Sequence, residues 1–332
     1  MDRLQLEETE LRTVNALVDR LTARYDRVDD PDFLLEAHLS AHELPMRIRR
    51  FLERLRREET GCCIIGGHPI DDDLIGPTPR HWNTIGHPSP ALRYEITLIL
   101  YTALLGDAFG WATQQNGRLV HDVLPIREHQ DSQLGTGGAT LLTWHTEDAF
   151  HPHRPDYVVL ACLRNPYGAE TLIGTMDRLG LTDEDQEVLR QERFMILPDE
   201  SHRAANNSGG SDANFSSIEA MLGAPPPIAV LFGDKTEPYI RADPYFMRTK
   251  PGDAEAESSL RKLVDAMDQK LVGEVLRAGD FCFLDNYKVV HGRKPFAARF
   301  DGTDRWLKRA CITRDLRKSR MGRKSSADPI IA

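Results

Sequence analysis

The sequence predicts a mixed α/β protein of one domain, with a double-sheet, jelly-roll core flanked by helices. Three observations predict it. Helical periodicity dominates the first third of the chain, and short runs of β-branched and aromatic residues follow. No disordered linker or internal repeat separates the two. At 332 residues the chain is long enough for one large domain.

Apolar residues at Leu11, Val14, Leu17, Val18, Leu21 and Tyr25 draw a helical stripe over Leu4 to Tyr25. A second helix fits His42 to Glu58, and Gly61 to Gly66 reads as a buried strand. Beyond a connection rich in Pro and Gly (Gly76 to Pro90), Ala91 to Leu105 reads as a largely buried helix. Gly106 to Trp111 then leads into Ala112 to Gly117, where Asn116-Gly117 signals a tight hairpin turn. Strands follow at Leu119 to Ile126, Ala139 to His145, Tyr157 to Leu163, Arg193 to Leu197, Ile228 to Phe232 and Tyr239 to Arg241. One long helix, Ser258 to Leu276, interrupts them, with apolar residues at Leu260, Leu263, Val264, Met267, Leu271 and Val275. Gly279 to Leu284, Val289 to His291 and Arg305 to Thr313 complete the strands. The domain is expected to span residues 1–320. The polar loop near 198–215 would serve as a lid hinged at Gly209-Gly210, and 321–332 as a flexible tail.

A hydrophobic content of 40% with 28% charged residues is that of a soluble globular protein. The net charge of −9 argues against a nucleic-acid partner, and the basic stretch Arg314 to Lys324 reads as solvated. The acidic start, Met1 to Glu8, shows no secretory signal. The most apolar run, Leu92 to Leu105, carries Arg93 and Glu95, so no membrane span is expected. Five cysteines (Cys62, Cys63, Cys162, Cys282, Cys311) lack C-x-x-C spacing. Four lie in apolar strand-like runs, which fits buried thiols in a reducing cytoplasm.

The chemistry concentrates in Trp144 to Phe150. His145 and Glu147 lie two apart at the end of a strand, so both side chains can reach one point. A distant His291 on a second strand could close the set. Two imidazoles and one carboxylate on one side of an ion are the facial triad of non-haem Fe(II) oxygenases. Arg305 and Arg309, four apart in one strand-like run, share a face. Two buried guanidiniums on one face repel unless anions sit between them, and a dicarboxylate and a carboxylate substrate would supply those anions. A zinc hydrolase on the same three residues is the rival reading, but H-E-x-x-H is absent and a hydrolase has no need of the arginine pair. A binding protein without activity would not need the whole set. The pair His151 and His153, flanked by Pro152 and Pro155, reads as a surface turn rather than a second metal site.

Together the run Trp144 to Phe150, the segment Val290-His291-Gly292-Arg293 and the Arg305/Arg309 pair resemble the clavaminate-synthase-like branch of the Fe(II)/2-oxoglutarate oxygenases. Phe109 to Gln115, Pro198 to His202, Asn206-Asn207-Ser208 and Asp304 to Arg309 extend the resemblance to the free-amino-acid hydroxylases of nonribosomal peptide pathways, among them an arginine 3-hydroxylase of viomycin biosynthesis. It covers roughly Arg24 to Arg320. The resemblance implies a double-stranded β-helix (jelly-roll, cupin-like) core and Fe(II), 2-oxoglutarate and O2 as cofactor and cosubstrates. It implies His145, Glu147 and His291 as metal ligands, which makes them the catalytic set. Arg305, helped by Thr171, would hold the distal carboxylate of 2-oxoglutarate. Arg309 would take the substrate α-carboxylate, with Gln114 and the free oxygen of Glu147 on the α-ammonium. Asp199, Ser201 and Asp243 would meet the far end of the substrate. The partner implied is a small amino acid, with no nucleic acid or membrane; oligomeric state is not readable.

One position departs from the pattern. The arginine hydroxylase carries a second acid where this chain has Tyr245. Losing one partner of a buried cation costs roughly 3–5 kcal/mol, whereas a neutral ureido group could accept from the Tyr245 hydroxyl while donating to Asp243. That reasoning favours L-citrulline, hydroxylated at C4, over L-arginine hydroxylated at C3, the alternative being that Tyr245 turns into the core and Asp199 restores the missing charge.

Overall fold

The computed structural model describes residues 1–177, 179–207 and 212–332, with the side chains of 212 and 213 left aside. The chain opens with β1 (Asp2–Gln5), α1 (Glu8–Thr22), α2 (Pro31–Ser40), α3 (Met46–Glu58), β2 (Cys62–Gly66), α4 (Asp72–Ile75) and α5 (Leu92–Thr102). Then come β3 (Asp107–Trp111), β4 (Val120–Val123), β5 (Leu142–His145), β6 (Tyr157–Arg164), β7 (Thr171–Thr175), α6 (Asp183–Leu189), β8 (Phe194–Ile196) and α7 (Asp212–Gly223). The remainder is β9 (Leu231–Gly233), β10 (Pro238–Ile240), β11 (Met247–Thr249), α8 (Ala254–Asp268), β12 (Val272–Glu274), β13 (Phe281–Asp285), β14 (Val289–Arg293), β15 (Trp306–Thr313) and β16 (Ile330–Ile331).

An eight-stranded sheet runs in the order β1-β2-β13-β6-β15-β3-β16, with β4 also pairing β15; a four-stranded sheet runs β12-β7-β14-β5. Strand periodicity sorts the core. Cys63, Ile65, Val159, Ala161, Phe281, Phe283, Ala310 and Ile312 pack with α1, α3 and α5. Their neighbours Cys62, Ile64, Val158, Leu160, Cys162, Cys282, Leu284 and Leu307 pack instead with Ile173 and Val289 of the smaller sheet. The central strands β2, β6 and β13 are therefore apolar on both faces, as a sheet covered on both sides requires. The far side of the small sheet buries Trp144 and Val290 against Leu263 and Met267 of α8. Helices, large sheet, small sheet and α8 thus stack as four layers, the jelly-roll arrangement expected.

Local signals account for most boundaries. A capping box starts α1, the Glu7 N–H donating to Glu10 at 2.9 Å. Asp30 caps α2, which has Pro31 at its first position.

Several expectations change. Residues 2–5 are a strand, not the start of a helix, because they satisfy the free edge of β2 in parallel register from Asp2↔Cys63 to Gln5↔Gly66. The helix expected from His42 begins only at Met46, since Pro45 holds Leu44 extended, and the unforeseen α2 precedes it. Around Asn116-Gly117 the turn chemistry is as expected, with positive φ at Gln115, Asn116 and Gly117. However, β3 and β4 both pair with β15 rather than with each other, so there is no hairpin. The helix expected to reach Leu276 stops at Asp268, and Val272–Glu274 adds a strand to β7.

The C-terminus is no flexible tail. Arg323, buried, donates to the carbonyls of Leu316, Ser325, Ser326 and Asp328, and Ile330–Ile331 pairs in parallel with β3. The expected hinge at Gly209-Gly210 lies outside the described residues, while 198–207 forms two short turns over the sheet edge.

Candidate functional site

Between the two sheets lies a cavity lined by His145, Glu147, His291, Arg305, Thr171, Arg309, Asp243, Asp199, Ser201 and Tyr245. The smaller sheet builds its centre. Antiparallel β5 and β14 set His291 directly across from His145, and the ladder shifts register between His291 and Arg293. That bulge needs Gly292, where a Cβ would lie 2.6 Å from the Leu142 carbonyl. The two imidazoles stand 4.6 Å apart between centroids. Glu147 follows β5 in a turn pinned by Asn286, whose Oδ1 accepts the Glu147 N–H at 2.7 Å. Its Nδ2 donates to the carbonyls of Glu147 and Pro155.

His145 donates from Nδ1 to the Thr143 carbonyl at 2.8 Å, which leaves Nε2 free with its lone pair forward. His291 Nε2 lies 3.2 Å from Glu147 Oε2, and ligand atoms of all three residues fall within 4.8 Å of one another. Burial disfavours charge on Glu147, yet Arg309 and the two histidines outweigh it and hold the carboxyl well below its ordinary range. An ionised carboxylate with two inward imidazole nitrogens fits a divalent transition metal.

Arg305 is 6% exposed and, among the described residues, makes no hydrogen bond or ion pair. Burial pulls its guanidinium down to about 10. Thr171 on β7 is also buried, its hydroxyl unpartnered. A lone buried cation beside a free hydroxyl fits an anionic group such as a distal carboxylate. Sequence reasoning did not find β7, which the pairing Arg293↔Thr171 locates. Nor did it find Arg293 itself, which lines the cavity and donates to the carbonyls of Gly137 and Thr140 at 2.6 and 3.1 Å.

Arg309 makes three contacts: Nη1 with Glu147 Oε1, and Nη2 with Gln114 Oε1 at 3.2 Å and His121 Nδ1 at 2.8 Å. Both predicted arginines therefore face the cavity. The intervening Trp306 and Lys308 face away, Lys308 pairing with Glu95 at 2.7 Å and Asp122 at 2.5 Å. Gln114 donates to Ser201 Oγ at 2.5 Å and to Asp148 at 3.4 Å. Asp148 in turn accepts from Trp111 at 2.6 Å and lies 3.0 Å from His202, which bonds Thr113 at 2.7 Å. This buried network joins residues 111–114 to the turn at 200–202. His121, His202 and Asp148 were invisible to sequence reasoning because nothing in their spacing marks them.

Two carboxylates also line the cavity. Asp243 Oδ1 caps the N–H groups of Tyr245 and Phe246, and Asp199 Oδ1 accepts from the Ser201 N–H. Burial pushes Asp243 up to about 6, with His145 opposing and Asp199 reinforcing. Tyr245 is 57% exposed at the rim, its ring edge-on to Phe246 at 4.9 Å, and among the described residues its hydroxyl makes no hydrogen bond. The surface turn expected at His151 and His153 is not what forms at His151, which is buried and packs on Trp111, 4.4 Å between centroids, its Nδ1 accepting the His153 N–H.

Residues 98–311 match the family model described as Taurine catabolism dioxygenase TauD, TfdA family. The chain is 45% identical over 338 residues to an enduracididine beta-hydroxylase of Streptomyces hygroscopicus, covering 99% of both chains. It is 40% identical over 342 residues to an L-ornithine/L-arginine 3-hydroxylase of Catenulispora acidiphila, covering 100% of both. Its structure superposes with a TM-score of 0.97, at 43% identity over 100% of each chain, on the non-heme iron oxygenase OrfP in complex with Fe, succinate and (3S)-hydroxy-L-Arg.

Proposed function

The chain belongs to the taurine catabolism dioxygenase TauD, TfdA family, and from that premise we propose that it hydroxylates the side chain of a free, arginine-type L-amino acid, L-arginine at C3. It is an Fe(II)/2-oxoglutarate-dependent dioxygenase, using O2. The observation that carries the substrate reading is the set of charges in the cavity: Arg305, unpartnered among the described residues, and Arg309 as cations, the triad, and the carboxylates of Asp243 and Asp199. An α-amino acid with a cationic side chain complements that set. The relatives point the same way, one being named an L-ornithine/L-arginine 3-hydroxylase and another holding (3S)-hydroxy-L-Arg.

Fe(II) with 2-oxoglutarate and O2 supplies the oxidising chemistry that replaces an aliphatic C–H with C–OH. His145, Glu147 and His291 would hold the metal, and Arg305 with Thr171 the distal carboxylate of the cosubstrate. Arg309 would receive the α-carboxylate, while Gln114 and Oε1 of Glu147, the oxygen that Arg309 already contacts, receive the ammonium. Asp243 and Asp199 would face the guanidinium, with Ser201 closing the cavity from the lid side. The protein's contribution is placement of one C–H and exclusion of water. The hydroxylated amino acid would serve as a building block for nonribosomal peptide assembly, made in the cytoplasm; the five cysteines are free and buried.

Citrulline hydroxylated at C4, which Tyr245 alone suggested, is the weaker reading. The acid missing at position 245 is offset by Asp199 across from Asp243, and the Tyr245 hydroxyl stands at the rim. Both amino acids should be offered separately to the protein with Fe(II), 2-oxoglutarate and air, following succinate and product mass. Preferred turnover of L-arginine to a product one oxygen heavier, with the new hydroxyl on C3, supports the reading. Preferred turnover of citrulline overturns it and returns Tyr245 to the role of specificity switch.

A further inference from the structure

Arg309 can serve a substrate carboxylate only if its guanidinium plane is fixed before the substrate arrives. Two acceptors hold Nη2, and they differ in kind. Gln114 lies on the irregular segment after β3 and is itself committed to Ser201 and Asp148 in the network that reaches the lid turn. Gln114 must also share its oxygen with any incoming ammonium group. His121 lies on β4, and the β4–β15 ladder sets it directly opposite Arg309. Directly opposed residues on antiparallel strands present their side chains on one face at close range. The contact between them is 2.8 Å.

The direction of that bond is forced. A guanidinium offers only donors and does not deprotonate, so His121 Nδ1 accepts and the ring is neutral with its hydrogen on Nε2. Its surroundings agree: burial, with Arg309 beside it, keeps the imidazole well below its ordinary range. We propose that His121 is a positioning residue that holds Nη2 of Arg309 from the rigid sheet, so that the guanidinium, whose Nη1 also contacts Glu147, keeps its plane turned into the cavity for the substrate α-carboxylate. The inference rests on the reading of Arg309 given above. It assigns to a strand histidine with no contact to metal or substrate a share of the affinity for the amino acid.

The test pairs H121F, which keeps a ring but lacks an acceptor, with H121N, whose Oδ1 stands near the place of Nδ1. Each is titrated calorimetrically, without oxygen, with L-arginine and with L-arginine methyl ester, and the KM for 2-oxoglutarate is measured alongside. H121F should weaken L-arginine about tenfold, the weight of one hydrogen bond to a charged group. The ester, whose carboxyl carries no charge, should lose little, the 2-oxoglutarate KM should stay put, and H121N should recover most of the loss. Equal losses for acid and ester, a parallel rise in the 2-oxoglutarate KM, or no loss at all would overturn the proposal. If H121F does not fold, H121A makes the same comparison. R309M separates the two levels: an unchanged L-arginine affinity there refutes the reading of Arg309 itself, whereas a lost affinity with H121F unaffected refutes only the role of His121.

Discussion

Replacing Arg305 with methionine should make the protein more stable and far worse at holding 2-oxoglutarate. The guanidinium is buried with no counter-ion among the described residues, and its folded-state value falls from 12.5 to about 10. For a base, a lowered value means the charged form is disfavoured in the folded protein, and at neutral pH that cost is fully present. At 1.36 kcal/mol per unit it amounts to about 3 kcal/mol. Methionine fills similar volume without the charge. The ligand-free R305M protein should therefore melt higher, on the order of 5 °C for a chain of this size. The same substitution removes the charge-assisted bonds offered to the distal carboxylate. Breaking such a buried pair costs roughly 3–5 kcal/mol, or about two to four decades of affinity. Thermal melts with and without saturating 2-oxoglutarate, plus calorimetric titration under nitrogen with Fe(II), read both effects at once. The wild type should gain roughly 2.7 kcal/mol at a hundredfold excess over Kd, and R305M almost nothing. An R305M protein that melts lower without ligand, or binds 2-oxoglutarate as the wild type does, would refute the reasoning.

Three other expectations follow from the same geometry. Asp243, pushed up to about 6, must be ionised to pair with a guanidinium. The KM for L-arginine should thus fall as pH rises through 6 and level off above 7, and in D243N the pH dependence should vanish while KM rises by one to two decades, roughly the worth of a charged hydrogen bond. Steady-state kinetics between pH 5 and pH 8 would show it. Asn286→Ala strips the Glu147 turn of its hydrogen bonds. Metal affinity should drop about 10–100-fold, as for other partners that orient ligands, in a competition titration against a coloured chelator. Arg323→Ala releases the carbonyls that fold residues 324–332 back onto β3. That segment should become sensitive to brief carboxypeptidase treatment, and the melting point should fall by several degrees, while wild type resists.

Read residue by residue, the chain itself determined the parts whose signals are local. Alternation along β6, β13 and β15 marks both buried faces, the two-residue spacing of His145 and Glu147 puts them within reach of one point, and the four-residue spacing of Arg305 and Arg309 turns both into one cavity. The Tyr245 argument is weaker for the opposite reason. It turns on whether Asp199 restores the charge, and Asp199 reaches the same cavity from a turn distant in the chain, which no local signal reveals. Of the unforeseen strands, β1, β12 and β16 end a sheet, β11 pairs β8 in a small two-stranded sheet and β7 lies at the heart of the smaller sheet, and none has a periodicity that distinguishes it from its surroundings. Leu271 and Val275 continued the stripe of α8 on paper, but the open edge of β7 offered Val272–Glu274 backbone partners that a longer helix could not use. Likewise only the β5–β14 register, with its bulge at Gly292, brings His291 opposite His145, and only the β4–β15 register gives Arg309 its histidine. Periodicity is a property of neighbouring residues and survives in the sequence. Register and edge pairing are settled by backbone groups far apart in the chain that must find partners once buried, so they exist only in the folded molecule.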